Sequence, residues 1–156
     1  MKKYSFLVFF AFIALILLNH IPSFGQGNKS YPEIENTLNS FIKEITASKI
    51  DSAMDFVSPN YANQDDAQGR DYVSFKALLS SLNERRSKNF KKVKVNGITI
   101  LEADVDNDTA IIAFKYSWKG INQKTLKEDS GEIKRVASLE NEAGSWKITK
   151  WGTLYK

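Results

Sequence analysis

Residues 110–118 read AIIAFKYSW, and this stretch decides the fold because apolar or aromatic side chains recur at every second position. Successive side chains of a β-strand point to opposite faces, so alternate residues share one face. The residues that share a face here are Ala110, Ile112, Phe114, Tyr116 and Trp118. Because a lone sheet cannot bury such a face, the stretch predicts a strand whose apolar side is covered by a second layer of structure.

The same two-residue period extends over the C-terminal half of the chain, where β-branched and aromatic residues dominate. Asn96-Gly97 shifts the phase of the alternation, which is typical of a β-bulge. Turn residues at 106–108 and 141–144 separate strands, and 120–130 is a polar loop or strand extension. The pattern therefore predicts an antiparallel meander. Its strands are expected to contain residues 93–95, 98–100, 110–118, 133–139 and 146–155.

Two helices are predicted ahead of these strands. Pro32 suits a first helical turn, and apolar residues then recur at helical spacing across 34–45. Asp51 or Ser52 is expected to cap a short second helix. That helix should end just before Pro59, because proline disfavours the helical conformation in the residue that precedes it.

A third helix is predicted to begin at Asp71 and to end where the charged stretch 83–92 begins. Helices followed by antiparallel strands predict an α+β fold. No repeat, low-complexity segment or linker interrupts the pattern, so a single domain is expected over residues 26–156. The apolar face of the third helix is expected to consist of Val73, Phe75, Leu78, Leu79 and Leu82.

The first 25 residues have the parts of a cleavable secretory signal peptide. Lys2 and Lys3 precede an apolar run over 6–18, and small residues lead up to Gly25, after which cleavage is expected. An uncleaved membrane anchor is the alternative, but the run has 13 residues, whereas about 18 or more are needed to span a bilayer. Export to a periplasm or out of the cell, with no stable membrane anchor after cleavage, is therefore expected.

The expected mature chain lacks both histidine and cysteine, since the only histidine is His20 and the sequence contains no cysteine. This absence removes the commonest zinc and copper ligands and the Ser-His and Cys-His nucleophile pairs. The glycine-rich phosphate-binding motifs and the GxSxG nucleophile motif are also missing from the sequence. No cofactor and no metal site are expected.

The charge balance gives little support to a polyanionic partner. Loss of two lysines with the signal peptide lowers the formal net charge from +4 to about +2. The one concentrated basic run is interpreted as the solvated C-terminal end of a helix, where cations are favourable. Binding of a polyanion by this run is the alternative, and no nucleic-acid partner is expected. The run contains Arg85, Arg86, Lys88, Lys91, Lys92 and Lys94.

The order of the elements, together with the ending Gly144-Ser-Trp-Lys-Ile148, resembles the nuclear transport factor two-like superfamily, which is also called SnoaL-like. The resemblance covers residues 31–156. It implies a cystatin-like cone, in which three N-terminal helices pack into a curved antiparallel sheet and an apolar cavity opens between them. Within this arrangement Phe41, on the first helix, is expected to be a core residue.

The resemblance also implies where a catalytic site would lie. Ketosteroid isomerase-like members use a pocket carboxylate as a base, with a tyrosine and a protonated aspartate as oxyanion donors. Asp65 and Asp66 are the acids available for the base, although adjacent aspartates in a polar loop are most often solvated. The donor tyrosine is expected on the first helix, whose inner face offers only Leu38, Phe41 and Ile42, with Tyr31 ahead of Pro32. The protonated aspartate position falls near Arg135, so this sequence departs from the isomerase pattern.

The side chains predicted to bind a ligand are Tyr61, Tyr116, Trp118 and Arg135. An arginine that alternates with apolar residues is either paired inside or partly open to water. Such an arginine in a pocket binds a carboxylate or phosphate through two hydrogen bonds. An ion pair with Glu102 or Asp104, or a guanidinium that reaches solvent at the sheet edge, is the alternative, and the aromatic residues would then be core.

Trp146 and Trp151 are an odd number of residues apart and are predicted to project to opposite faces of the last strand. One of the two should then be buried, and the other is a candidate for the interface of a homodimer.

Three hypotheses about function follow. The first is an exported domain without catalysis that binds a small apolar or anionic ligand, or that pairs with another protein through the outer face of its sheet. The second is a cofactor-independent isomerase or dehydratase, with Asp65 or Asp66 as base and Tyr61 and Arg135 stabilising negative charge. The third is a structural module of an envelope complex whose pocket is filled by its own side chains.

Overall fold

A computed structural model describes residues 31–62 and 71–154 of the chain. Three helices precede five antiparallel strands, which confirms the predicted α+β class. The predicted signal peptide, including its cleavage site, lies outside the described residues. Among those that are described, no helix is long and apolar enough to cross a bilayer. The elements are α1 Pro32–Thr46, α2 Ile50–Met54, α3 Tyr72–Asn89, β1 Phe90–Val95, β2 Thr99–Asp106, β3 Thr109–Asn122, β4 Glu128–Glu142 and β5 Ser145–Thr153.

The sheet is built around one long hairpin, in which β3 and β4 pair from Thr109↔Glu140 to Ile121↔Glu128. On the far side of β4 lies β5. The opposite edge of β3 is shared: β2 pairs with its first half and β1 with its last residues. The strands therefore form one curved sheet with the hairpin at its centre.

The predicted bulge at Asn96-Gly97 is confirmed, because Val95 pairs with Trp118 and Thr99 with Lys115, so that residues 96–98 oppose only two residues of β3. It separates β1 from β2 along one edge of β3. The backbone N–H of Ile98 donates to the side-chain carbonyl oxygen of Asn39 on α1 (2.9 Å). This contact supplies an acceptor for a backbone N–H at the bulge. Further register shifts lie between Lys91 and Lys94 in β1 and between Ile100 and Glu102 in β2.

Helix α1 packs its apolar face against the concave face of the sheet. Phe41 is completely buried, as predicted. Its ring makes an edge contact with Trp151 of β5 at a centroid distance of 4.9 Å and a stacked contact with Phe75 of α3 at 6.3 Å. Phe114 of β3 completes this aromatic group, at 5.6 Å from Trp151. Helix α1, helix α3 and the sheet thus contact one another through one group of aromatic rings.

Trp146 and Trp151 project to the same face, so the prediction that they lie on opposite faces is wrong. A bulge in β5 is the reason: Ile148 pairs with Leu139 and Lys150 pairs with Ser138, which leaves Thr149 as an extra residue. In a regular strand, side chains an odd number of residues apart lie on opposite faces, and one extra residue between them puts them on the same face. Both indoles consequently belong to the inner side of the sheet, Trp146 in the core and Trp151 packed against it.

Helix α2 is shorter than predicted and begins earlier. Its N-cap is Lys49, which makes no side-chain capping bond, and Asp51 lies in the first turn, so neither Asp51 nor Ser52 caps the helix. The chain leaves the helix after Met54 because it pairs with β5: Ser58 donates to the carbonyl oxygen of Ile148 and Ile148 donates to that of Phe56, both at 2.9 Å. This bridge covers part of the β5 edge.

Helix α3 begins where the sequence predicts but continues well past position 83. The Asp71 carboxylate accepts a hydrogen bond from the Ser74 N–H (2.9 Å), and this bond holds the pKa of Asp71 below its usual value. An ion pair between Glu84 and Lys88 (2.7 Å) supports the charged last turns. Val73, predicted on the apolar face, is 71% exposed.

Arg86 connects the end of α3 to the end of α1. Its Nη2 atom donates to the backbone carbonyl oxygens of Ile45 and Thr46, each at 2.9 Å. Carbonyls in the last turn of a helix have no partner within the helix. Arg86 is thus a half-buried clamp rather than part of a solvated helix end, and the lysines from Lys91 to Lys94 lie on β1 instead.

Replacement of Phe41 by alanine should lower the free energy of unfolding by about 3–5 kcal/mol, because the buried ring has no other group to replace it. Chemical denaturation of Phe41→Ala measures this loss. Val73→Ala on the exposed side of α3 is the control and should change stability by no more than about 0.5 kcal/mol. A loss below about 1 kcal/mol for Phe41→Ala would refute the packing described here.

Arg86→Gln should lower the free energy of unfolding by about 1.5–3 kcal/mol, because two helix carbonyls lose a charged donor. The neighbouring Arg85 is exposed, so Arg85→Gln removes the same charge and should change stability by about 0.5 kcal/mol or less. Equal effects of the two substitutions in thermal and chemical denaturation would show that Arg86 contributes only net charge.

Candidate functional site

A cavity of about 340 Å³ opens between the C-terminal turn of α1, the second half of α3 and the concave side of the sheet. Its walls are mostly aliphatic and aromatic. The apolar lining residues that belong to the sheet are Phe90, Val93, Val95, Trp118, Ile133 and Trp151. The polar lining residues are Thr46, Asn83, Arg86, Tyr116 and Arg135.

The cavity exists because the sheet is longer than the helix that covers it. Strand β3 has 14 residues and runs for about 46 Å at roughly 3.3 Å per residue. Helix α1 has 15 residues but extends for only about 22 Å at 1.5 Å per residue. It covers the half of β3 near Phe114. Helix α1 ends at Thr46, and past this point α3 covers the concave face.

Trp118 forms the far wall of the cavity on β3. Its ring makes an edge contact with Phe90 at a centroid distance of 5.0 Å. Across the hairpin it pairs with Gly131, where a Cβ atom would lie 2.9 Å from the indole nitrogen. The missing side chain of Gly131 therefore lets the indole lie over β4 and face the cavity.

Arg135 lies on β4, between Phe114 of β3 and Thr153 of β5. Its Nη1 atom donates to the Thr153 hydroxyl oxygen. Its Nε atom is buried and, among the described residues, has no hydrogen-bond partner. Nη1 is thus engaged, the Tyr116 side chain is also hydrogen-bonded to the guanidinium, and Nε is left without a partner among these residues.

The expected ion pairs of Arg135 with Glu102 or Asp104 do not form. These acids pair along the ladder with Ala113 and Ile111, whose side chains lie on the face opposite to that of Phe114. Within residues 31–62 and 71–154, no carboxylate is ion-paired with Arg135, and no carboxylate lines the cavity. The positive charge inside is not balanced by these parts of the chain.

Tyr116 lies beside Arg135 on the neighbouring strand. Burial raises the pKa of the Tyr116 phenol, although the nearby positive charges of Arg135 and Arg86 act in the opposite direction. The hydroxyl therefore stays protonated at neutral pH and is able to donate a hydrogen bond. Burial also lowers the pKa of the Arg86 guanidinium, but an arginine stays charged in proteins.

The structure brings together three of the predicted ligand-binding residues, Tyr116, Trp118 and Arg135, on the cavity wall. Tyr61 lies elsewhere: only 2% of it is exposed, and its ring stacks on Phe75 at a centroid distance of 4.3 Å. It is a core residue outside the cavity lining. Asp65 and Asp66 lie outside the described residues.

Arg86 and Asn83 are cavity residues that the sequence analysis did not identify. Their charged surroundings suggested a solvated helix end. Helical spacing is the signal that could have found them, because positions 79, 82, 83 and 86 recur on one side of a helix. Leu79 and Leu82 on that side also line the cavity.

No protein-family model matches the sequence, and no curated protein matches it either. Solved structures do match in fold. A nuclear transport factor two-like superfamily protein from Salmonella enterica serovar Typhimurium is 13% identical, with a TM-score of 0.56 over 80% of this chain and 90% of that one. A ketosteroid isomerase-like protein from Erwinia carotovora atroseptica is also 13% identical, with a TM-score of 0.56 over 80% and 95% of the two chains.

A third structure is a protein with a cystatin-like fold from Nostoc punctiforme, 13% identical, with a TM-score of 0.53 over 76% of this chain and 85% of that one. Identities this low carry information about the fold alone. The chain has the cone fold of the nuclear transport factor two-like superfamily.

Proposed function

We propose that this protein binds a small, largely apolar molecule in the cavity and does not transform it. The observation that carries the proposal is an open cavity of about 340 Å³ with mostly aliphatic and aromatic walls. Small-molecule sites are typically concave pockets of about 300–1,000 Å³ with a few convergent polar groups. Arg135 and Tyr116 are such groups here.

The open cavity argues against a purely structural module, whose pocket would be filled by its own side chains. An isomerase or dehydratase would need a carboxylate base in contact with its substrate. The described lining residues include no carboxylate, so Arg86 and Arg135 have no acidic partner among them. Tyr61, which the enzyme hypothesis used to stabilise negative charge, stacks on Phe75 in the core. These placements favour binding.

The wild-type protein should bind a neutral naphthylamine dye such as N-phenyl-1-naphthylamine, with a rise in the dye's fluorescence. Leu82 is 47% exposed and lines the cavity from α3, so Leu82→Trp should fill space at this position and weaken dye binding at least tenfold. The expected loss is purely steric.

Val73→Trp is the matched control, because it places the same indole on an exposed position of α3 that is not among the lining residues. It should leave dye affinity unchanged within about twofold. If the wild type does not bind the dye, or if both variants behave alike, binding in this cavity is ruled out.

The proposal includes export, which the lysines, apolar run and small residues of the first 25 positions support. Protein expressed in a bacterial host should be recovered outside the cytoplasm with Gln26 as its first residue, as measured by intact mass. Gly25→Arg should block cleavage, because a small residue is needed there, whereas Asn28→Arg introduces the same side chain beyond the site and should not. Full-length wild-type chain in the membrane fraction would instead support an anchor.

A further inference from the structure

One end of the apolar cavity differs chemically from the rest. The guanidinium of Arg135 and the hydroxyl of Tyr116 lie there side by side. The other lining residues of the sheet are apolar: Phe90, Val93, Val95, Trp118, Ile133 and Trp151. A molecule that fills the cavity therefore meets hydrogen-bond donors at one end and hydrocarbon at the other.

The buried Nε atom of Arg135 is the most informative feature of this end. A buried donor without an acceptor costs free energy, more so when it is charged. Among the described residues Nε has no partner, and its sheet neighbours Phe114 and Ala137 are apolar. An acceptor supplied from the cavity would satisfy this donor.

The contacts that Arg135 makes hold its guanidinium in place. Nη1 is engaged by the Thr153 hydroxyl, and the Tyr116 side chain is hydrogen-bonded to the same group. Nε is left without a described partner on a residue that lines the cavity. The N–H groups of a guanidinium match the two oxygens of a carboxylate.

The second arginine differs from Arg135 because it supports the fold. Nη2 of Arg86 is held by the carbonyl oxygens of Ile45 and Thr46. Its charge adds to the positive potential of the cavity, whereas the buried donor without a described partner belongs to Arg135. One such guanidinium and one phenol hydroxyl suit a singly charged, planar head group better than a dianionic phosphate.

We propose that the ligand is an organic monocarboxylate whose apolar body fills the cavity and whose carboxylate binds the Arg135 guanidinium at Nε and the hydroxyl of Tyr116. This inference rests on the proposed function, because it names the chemical class of the molecule bound in the same cavity.

The test compares three ligands that share one apolar body and differ in the head group: phenylbutyrate, phenylbutyramide and phenylbutyl phosphate. Each displaces the neutral dye from the wild-type protein at neutral pH. Phenylbutyrate should bind at least tenfold more tightly than the uncharged amide and more tightly than the phosphate. Equal affinities for acid and amide would overturn the proposal, and tighter binding of the phosphate would replace it with a phosphate site.

Arg135→Gln should abolish the preference for the acid over the amide, as measured by the ratio of their affinities. Lys134→Gln is the matched control: it removes the same charge from the adjacent residue, which is exposed and points to the other face of β4. It should leave the preference unchanged. Equal losses in the two variants would show that long-range charge, not a hydrogen-bonded head group, selects the acid.

Two further variants examine the geometry. Arg135→Lys keeps the charge but has no fork of donors, so the acid should lose about five- to tenfold in affinity. Tyr116→Phe should weaken the acid about three- to tenfold, and more than it weakens the amide, because a hydrogen bond to a charged acceptor is the stronger one. Retention of full acid affinity in both variants would overturn the assigned contacts.

The outcomes separate the two proposals. If the dye does not bind the wild type at all, the proposed function fails. If the dye binds and the wild type does not prefer the acid, only the carboxylate assignment fails. The comparison of acid and amide on the wild type needs no variant, so it decides the question even where Arg135→Gln does not fold.

Discussion

The inner face of the β3–β4 hairpin must be kept from water, and a single helix is too short to cover it. This constraint organises the rest of the structure. Helix α1 covers the half of the face that carries Phe114, where Phe41, Phe75 and Trp151 close the core with ring contacts. Over the other half, α3 forms a roof that does not touch the sheet everywhere. The space between roof and sheet is the cavity.

The roof stays in place through polar contacts as well as burial. Arg86 joins α3 to the last carbonyls of α1, and the chain after α2 pairs with β5 through Ser58 and Ile148. These bonds satisfy groups that a helix end or a sheet edge leaves without partners. They also put a guanidinium into a mostly apolar wall. Support of the fold and the electrostatics of the site thus share one residue.

Local sequence signals predicted the parts of this structure that depend on local geometry. Strict alternation from Ala110 to Trp118 identified the central strand and two cavity residues, and Asp71 marked the start of α3. The errors arise where a distant partner overrides the local signal. The extra residue at Thr149 puts Trp151 on the inner face, which no turn or glycine in the sequence announces. The end of α3 depends on Arg86 reaching α1, and the exit of the chain from α2 depends on β5.

Trp151 has two environments at once, since one side of the indole packs on Phe41 and Phe114 and another borders the cavity. Occupancy and folding are therefore thermodynamically linked through a single side chain. Any molecule that binds the folded chain here and not the unfolded one raises the melting temperature, by a free energy that grows with the logarithm of its concentration. The empty domain, with a ring of its core exposed to a hollow, is the less stable form of this protein.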